Sequence, residues 1–139
     1  MKKIVSSGNV YVKQSSIPDS GRGVFATRSI KKGEIIEVCP FIDIPDHDLE
    51  NLSQSMLITY TFFYGEKKEK LLIALGFGSL YNHSYSPNAK YSINEADQTI
   101  RFIAKKTICK DSEITFDYKH GNPQDKNPLW FEANQEEVF

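Results

Sequence analysis

At 139 residues, with Lys+Arg 17 against Asp+Glu 18 and a net charge of -1, the chain has the size of one domain and can build a hydrophobic core without staples. Its apolar fraction of 40% and charged fraction of 25% are ordinary for a globular protein. The charge balance gives no support for direct nucleic-acid binding, which wants a basic excess, or for a membrane-surface role.

Met1-Lys2-Lys3 could open an export signal, but Ser6-Ser7-Gly8-Asn9 follows at once and leaves no apolar core of the needed length. No run of about 18 apolar residues exists to span a membrane. Val10 to Lys13 alternates weakly and reads as a strand. Asp19-Ser20-Gly21-Arg22-Gly23 is a turn by composition, and Val24 to Ala26 resumes as strand. Lys31-Lys32-Gly33 turns again, and Glu34 to Cys39 is β-branched enough for another strand.

Pro45 and Asp46 open the one expected helix. Asp46 can cap it, Asp48 and Glu50 suit its positive end, and Leu49, Leu52 and Met56 repeat at helical spacing. That stripe reads as core packing. Thr59 to Tyr64 is aromatic and β-prone, Gly65 to Glu69 is a solvated turn, and Lys70 to Leu75 returns as a strand. Ala89 to Asn94 and Thr99 to Ala104 alternate cleanly across Glu95-Ala96-Asp97-Gln98, so they form a hairpin. Lys110-Asp111-Ser112 turns into a last strand, Glu113 to Tyr118, with Ile114, Phe116 and Tyr118 on one face.

Between these strands lies Ser79 to Ala89, S-L-Y-N-H-S-Y-S-P-N-A. Asn and Ser compete for backbone hydrogen bonds, Pro87 pulls Ser86 out of the helical region, and Gly76 and Gly78 loosen the approach. A polar loop clamped between core strands commonly binds something. Cys39 and Cys109 read as two reduced, packed thiols of a reducing compartment rather than a disulfide. Two Cys with His47, His83 and His120 match no zinc spacing, so no metal is expected. After Tyr118 the composition shifts to a polar stretch, then Leu129-Trp130-Phe131 and an acidic end.

N-H-S-x-x-P-N at Asn82 to Asn88, followed about 30 residues later by E-I-T-F-D-Y at Glu113 to Tyr118, resembles the paired signature of SET-domain protein lysine methyltransferases. G-R-G-V-F-A at Gly21 to Ala26 resembles that family's N-terminal motif, and all three stand in the family's order. The resemblance implies a mostly β, β-clip-like fold of short sheets with few helices and a C-terminal pseudoknot. Residues 1–118 would be the SET domain and 119–139 a tail without the family's cysteine-rich zinc site.

The resemblance further implies S-adenosylmethionine as cofactor, S-adenosylhomocysteine as product, and a protein lysine as methyl acceptor. Gly21, Arg22, Gly23, Asn82 and His83 would hold the cofactor, although the two glycines read equally as a hairpin turn needing positive φ. Tyr118 would orient the amine, with Tyr60 lining the lysine channel and Tyr64 as second choice; the bland alternative for Tyr60 is a core aromatic. Trp130 or Phe131 would fold back over the cofactor, the alternative being packing outside the core or a frayed end. His83 is expected to bind and scaffold, because a pKa near 6.5 matches a lysine poorly.

No dedicated base is required. A sulfonium at about 6 Å, with an effective dielectric near 20, disfavours the ammonium by roughly 2.8 kcal/mol, about two pKa units. The expected partner is a protein presenting a lysine in a basic or extended segment, met inside the cell in cytoplasm or nucleus, and self-association into a homodimer stays open. The rival reading is a SET-like binding module without catalysis.

Overall fold

The protein is described here by a computed structural model covering residues 3–67 and 69–118. The strands are β1 Val10–Gln14, β2 Arg22–Ala26, β3 Ile35–Asp43, β4 Thr61–Tyr64, β5 Lys70–Ala74, β6 Asn82–His83, β7 Ala89–Asn94, β8 Thr99–Ala104 and β9 Glu113–Phe116, and the only α-helix among the described residues is the short α1 Leu49–Ser53. They form a four-stranded sheet, β1-β2-β9-β6, and a five-stranded sheet, β4-β5-β3-β8-β7. The expected mostly β fold of short sheets is what forms.

The hairpin read from alternation is present at its expected bounds. β7 pairs antiparallel with β8 from Ala89↔Ala104 to Asn94↔Thr99, and its inward residues Ala89, Ile100, Phe102 and Ala104 are buried. Both sheets feed one apolar core. Val10, Val24, Ile114 and Phe116 come from the first, and Ile36, Cys39, Phe41, Phe62, Leu72 and Phe102 from the second. Burying that many large side chains supplies the main driving force for folding.

β3 runs four residues past its expected end at Cys39 and carries a register shift between Ile35 and Glu37. Such an irregularity re-aims side chains. Here Ile36 is the extra buried residue, while Glu37 keeps step with the buried Cys39 and Phe41, so a carboxyl group enters an apolar core.

The helix departs from expectation. Asp46–Asp48 is a 3-10 turn, α1 ends at Ser53, and a second 3-10 turn covers Met56–Tyr60, so Tyr60 precedes β4 instead of lying in it. Asp46 is no cap; Pro45 holds the N-cap position, without a side-chain hydrogen bond. Ser55 breaks the run, since its side chain accepts from Leu57 N–H and starts the second turn. The stripe is not core either: Met56 is 68% and Leu57 49% exposed.

Cys39 and Cys109 are both free, as expected, but only Cys39 is packed; Cys109 is exposed. Among the described residues there is no cluster of metal-ligating side chains and no helix long and apolar enough to cross a membrane. His120, Trp130, Phe131 and the tail they belong to lie outside the described residues.

Candidate active site

The two motifs that stand about 30 residues apart in sequence lie side by side. β6 pairs parallel with β9 through Asn82↔Thr115 and His83↔Phe116, and Ser84 N–H continues the ladder to Phe116 carbonyl at 3.1 Å. On its other edge β9 pairs antiparallel with β2 through Val24↔Ile114 and Phe25↔Glu113. The last strand is thus inserted between the G-R-G-V-F-A strand and the polar loop.

Asn88 locks this insertion. Its amide donates to Glu113 carbonyl at 2.9 Å, and its oxygen accepts from Thr115 N–H at 2.9 Å, replacing a rung of ladder where the loop backbone turns away. His83 performs the same service one turn on. Its Nδ1 accepts from Tyr118 N–H at 2.9 Å, so the ring proton resides on the other nitrogen. The His83 side chain is 7% exposed and stands 3.8 Å from Asp117 Oδ1. With its Nδ1 lone pair spent on the backbone, this imidazole is built to scaffold.

Tyr118 follows directly. Its ring lies 5.1 Å from both His83 and Phe116, centroid to centroid, and its hydroxyl donates to Tyr81 carbonyl at 2.7 Å. Burial first, then repulsion from an ionised Tyr60 and from the Glu113 carboxylate, push its pKa up to about 12. At neutral pH the group is therefore a phenol, its proton held by Tyr81 and its oxygen lone pairs free to accept. Tyr60 is close enough to feel and raise that ionisation, and its carbonyl accepts from Ser79 Oγ at 2.9 Å. Tyr64, the second choice for the channel, instead gives its hydroxyl to Asp43 and packs its ring against Phe41, tilted at 5.8 Å between centroids.

The two glycines serve different ends. Gly21 takes φ +64 with open space where a Cβ would stand, so it is the turn residue. Gly23 has no left-handed φ; a Cβ there would meet Glu113 Oε2 at 2.4 Å and Asn82 Nδ2 at 3.2 Å. It is glycine because two polar side chains pass beneath it. Arg22 is exposed and its carbonyl accepts from Asn82 Nδ2 at 3.0 Å, while the same amide donates to Glu113 Oε2 at 2.9 Å. The Asn82 amide thereby fixes the loop against the glycine turn.

Glu113 is the hub that sequence reasoning placed only in a motif. Besides Asn82 it accepts from Ser15 Oγ, Ser16 N–H and Ser16 Oγ at 2.7–2.9 Å. Burial works to raise its pKa, but the hydrogen bonds from Asn82, Ser16 and Ser15 outweigh that and leave it lowered. A carboxyl with a lowered folded pKa contributes stability above its unfolded value, about 4.3, that is lost as pH falls through the folded value. Glu113→Gln is therefore expected to be less stable than the parent chain at neutral pH, by on the order of 2 kcal/mol. The gap should narrow at acid pH, as pH falls through the lowered folded value and Glu113 becomes neutral like the glutamine. Urea unfolding of both proteins at neutral and at acid pH checks this; a gap that persists unchanged in acid would contradict it.

Asp111, in the turn that leads into β9, takes φ +66. Asp tolerates that region better than most residues, and its carboxylate accepts from Tyr11 hydroxyl at 2.8 Å.

Comparison with known proteins agrees with this geometry. The SET domain profile matches residues 21–119. The chain is 31% identical over 113 residues to the histone-lysine N-methyltransferase, H3 lysine-37 specific, of Schizosaccharomyces pombe, a match that takes in 81% of this chain and 71% of the relative. It is 30% identical over 122 residues to histone-lysine N-methyltransferase trr of Drosophila melanogaster, covering 80% of this chain but only 5% of that much longer protein. Among solved structures, a provisionally assigned histone methyltransferase of Plasmodium falciparum superposes with TM-score 0.65 at 32% identity, covering 92% of this chain and 99% of the other. A chain of the Chaetomium thermophilum Polycomb Repressive Complex 2 bound to S-adenosylmethionine shares the fold, with TM-score 0.67 at 20% identity over 96% of this chain and 17% of that one. The chain belongs to the SET domain family.

Proposed function

We propose that this protein transfers a methyl group from S-adenosylmethionine to the side-chain amine of a lysine in a protein such as a histone. One observation carries the reading: β6 and β9 are paired in parallel, and Tyr118 emerges from that junction with its phenol oriented by Tyr81. The histone-lysine N-methyltransferase names of the relatives support the reaction class, and the S-adenosylmethionine-bound relative supports the cofactor.

The residues present fit such a cofactor. Gly21 leaves its turn uncovered by any side chain, the exposed Arg22 offers a cation for a carboxylate, and the Asn82–His83 segment offers backbone groups along a two-residue strand. When bound, S-adenosylmethionine supplies an electrophilic methyl group carried on a sulfonium.

The chain's own part is positioning. Tyr118 is held as a neutral phenol whose proton points to Tyr81, so its oxygen can accept an N–H of the incoming amine and aim the nitrogen lone pair. Tyr60 would line the lysine's approach, a role supported by its electrostatic reach to the same phenol. His83, Asn82 and Asn88 hold the strand junction in register, and the lysine's ammonium proton leaves to water rather than to a side chain of the site. The partner is a protein lysine in a basic or extended segment, reached within cytoplasm or nucleus, with residues 1–118 acting as the catalytic domain and 119–139 as its tail.

Incubation with S-adenosylmethionine and a panel of basic proteins, followed by peptide mass spectrometry, tests the proposal. Single-methyl mass increments on lysine are expected. Cofactor binding without any such increment would instead favour a binding module that has lost catalysis.

A further inference from the structure

Glu37 sits inside the core at 7% exposure, on the irregular stretch of β3, with no role in the reaction as described above. A buried carboxylate is costly unless its oxygens are satisfied. Besides the Cys39 thiol on its own strand, two donors from one short segment satisfy it: Tyr81 hydroxyl at 2.8 Å to Oε1 and Phe77 N–H at 3.1 Å to Oε2. That segment contains the 3-10 turn Gly78–Leu80 and ends at Tyr81, whose backbone carbonyl accepts the Tyr118 hydroxyl. The Tyr81 ring is clamped as well, stacked on Phe102 at 4.3 Å between centroids.

The same turn reaches the second tyrosine of the site. Ser79 Oγ accepts from Ala74 N–H and donates to Tyr60 carbonyl. Gly78 is forced to be glycine at this place, because a Cβ would stand 2.6 Å from Ala74 Cβ and 3.1 Å from Cys39 Sγ. The turn is therefore pressed onto β3 and β5, pinned at both ends by one carboxylate, and attached to both phenol-bearing segments.

We propose that Glu37 and Tyr81 form a buried brace that positions the Tyr118 hydroxyl, making Glu37 a positioning residue for methyl transfer although it touches neither substrate nor cofactor. The inference rests on the role given to Tyr118 above. It requires only that the Tyr81 carbonyl be held in place, since the direction of the phenol proton, and hence of its lone pairs, follows from that acceptor. Gln at position 37 would place an NH2 donor against either Phe77 N–H or the Tyr81 hydroxyl, and Phe at position 81 would remove the second anchor while keeping the stacked ring.

The test uses Glu37→Gln, Tyr81→Phe and their combination in the full chain. Each single variant is expected to lower kcat by about ten- to a hundredfold while KM for the lysine protein changes by less than about twofold. The double variant should be no worse than the more affected single one, because both changes break the same brace. Tyrosine labelled with carbon-13 at Cζ gives a second readout, the Tyr118 signal being identified by its loss in Tyr118→Phe. That signal should shift in both single variants, and in Tyr81→Phe even if Glu37→Gln fails to fold. Unchanged kcat together with an unmoved Tyr118 signal in folded variants would overturn the brace. If the parent chain methylates nothing, the functional reading falls separately, and the Tyr118 signal alone still decides the brace.

Discussion

Tyr118→Phe is expected to lower methyl transfer by about 10²–10³-fold, the range seen when one preorganised polar group is removed from a reacting centre. The fold should survive. The variant keeps the ring contacts with His83 and Phe116 and loses only the bond to Tyr81 carbonyl, worth about 1 kcal/mol. Tyr64→Phe is the matched control, since its hydroxyl is engaged by Asp43 rather than by any group around Tyr118. It should alter stability and leave turnover intact. Steady-state kinetics beside thermal melts of the two variants separates the roles; near-normal turnover in Tyr118→Phe would remove the residue from the mechanism.

The second large effect is steric. Gly23→Ala places a Cβ 2.4 Å from Glu113 Oε2 and 2.9 Å from its Cδ. That carboxylate cannot swing aside cheaply, because Ser15, Ser16 and Asn82 all hold it. Overpacking against a fixed group and breaking part of its hydrogen bonding together should cost on the order of 2–3 kcal/mol. The shift would travel to the Asn82 loop, so methyl transfer should fall too. Gly21→Ala meets open space and carries only the conformational penalty of its positive φ, about 1–2 kcal/mol. Denaturant unfolding of both checks the order. Gly23→Ala equal to the parent in stability, or milder than Gly21→Ala, would contradict the account.

How far the sequence revealed this molecule depended on whether a pattern had one physical meaning. The β7–β8 hairpin was legible because strict alternation leaves a strand only one way to bury its apolar face, and its bounds agree with the pairing. The expected helix was not, since Leu49, Leu52 and Met56 recur at helical spacing whether the face is buried or open. Only the structure shows Ser55 starting a new turn and Met56 in solvent. The Gly21–Gly23 turn was half legible. The need for glycine could be read, but that one position answers a dihedral angle and the other a passing carboxylate depends on chain segments about 90 residues apart.

The motifs placed Asn82, His83 and Tyr118 together, and they do converge. Glu113 and Glu37 escaped notice for opposite reasons. Glu113 belongs to a recognised motif and so was passed over as part of it, whereas its partners Ser15 and Ser16 carry no signature at all. Glu37 lies in E-I-I-E-V-C, where a charged residue in an apolar strand was the available signal. It stands in phase with the buried Cys39 and Phe41, so alternation along β3 carries it inward, and the register shift beside it brings Ile36 in as well.

The most direct measurement is a crystal structure with bound cofactor product and a lysine peptide. The account predicts the peptide amine within hydrogen-bond reach of Tyr118 Oη, about 3 Å, with the sulfur of the cofactor on the far side of the amine and the cofactor lying along Gly21–Gly23 and Asn82–His83. A lysine or nucleoside seated elsewhere, with Tyr118 still turned to Tyr81 and touching neither, would contradict it.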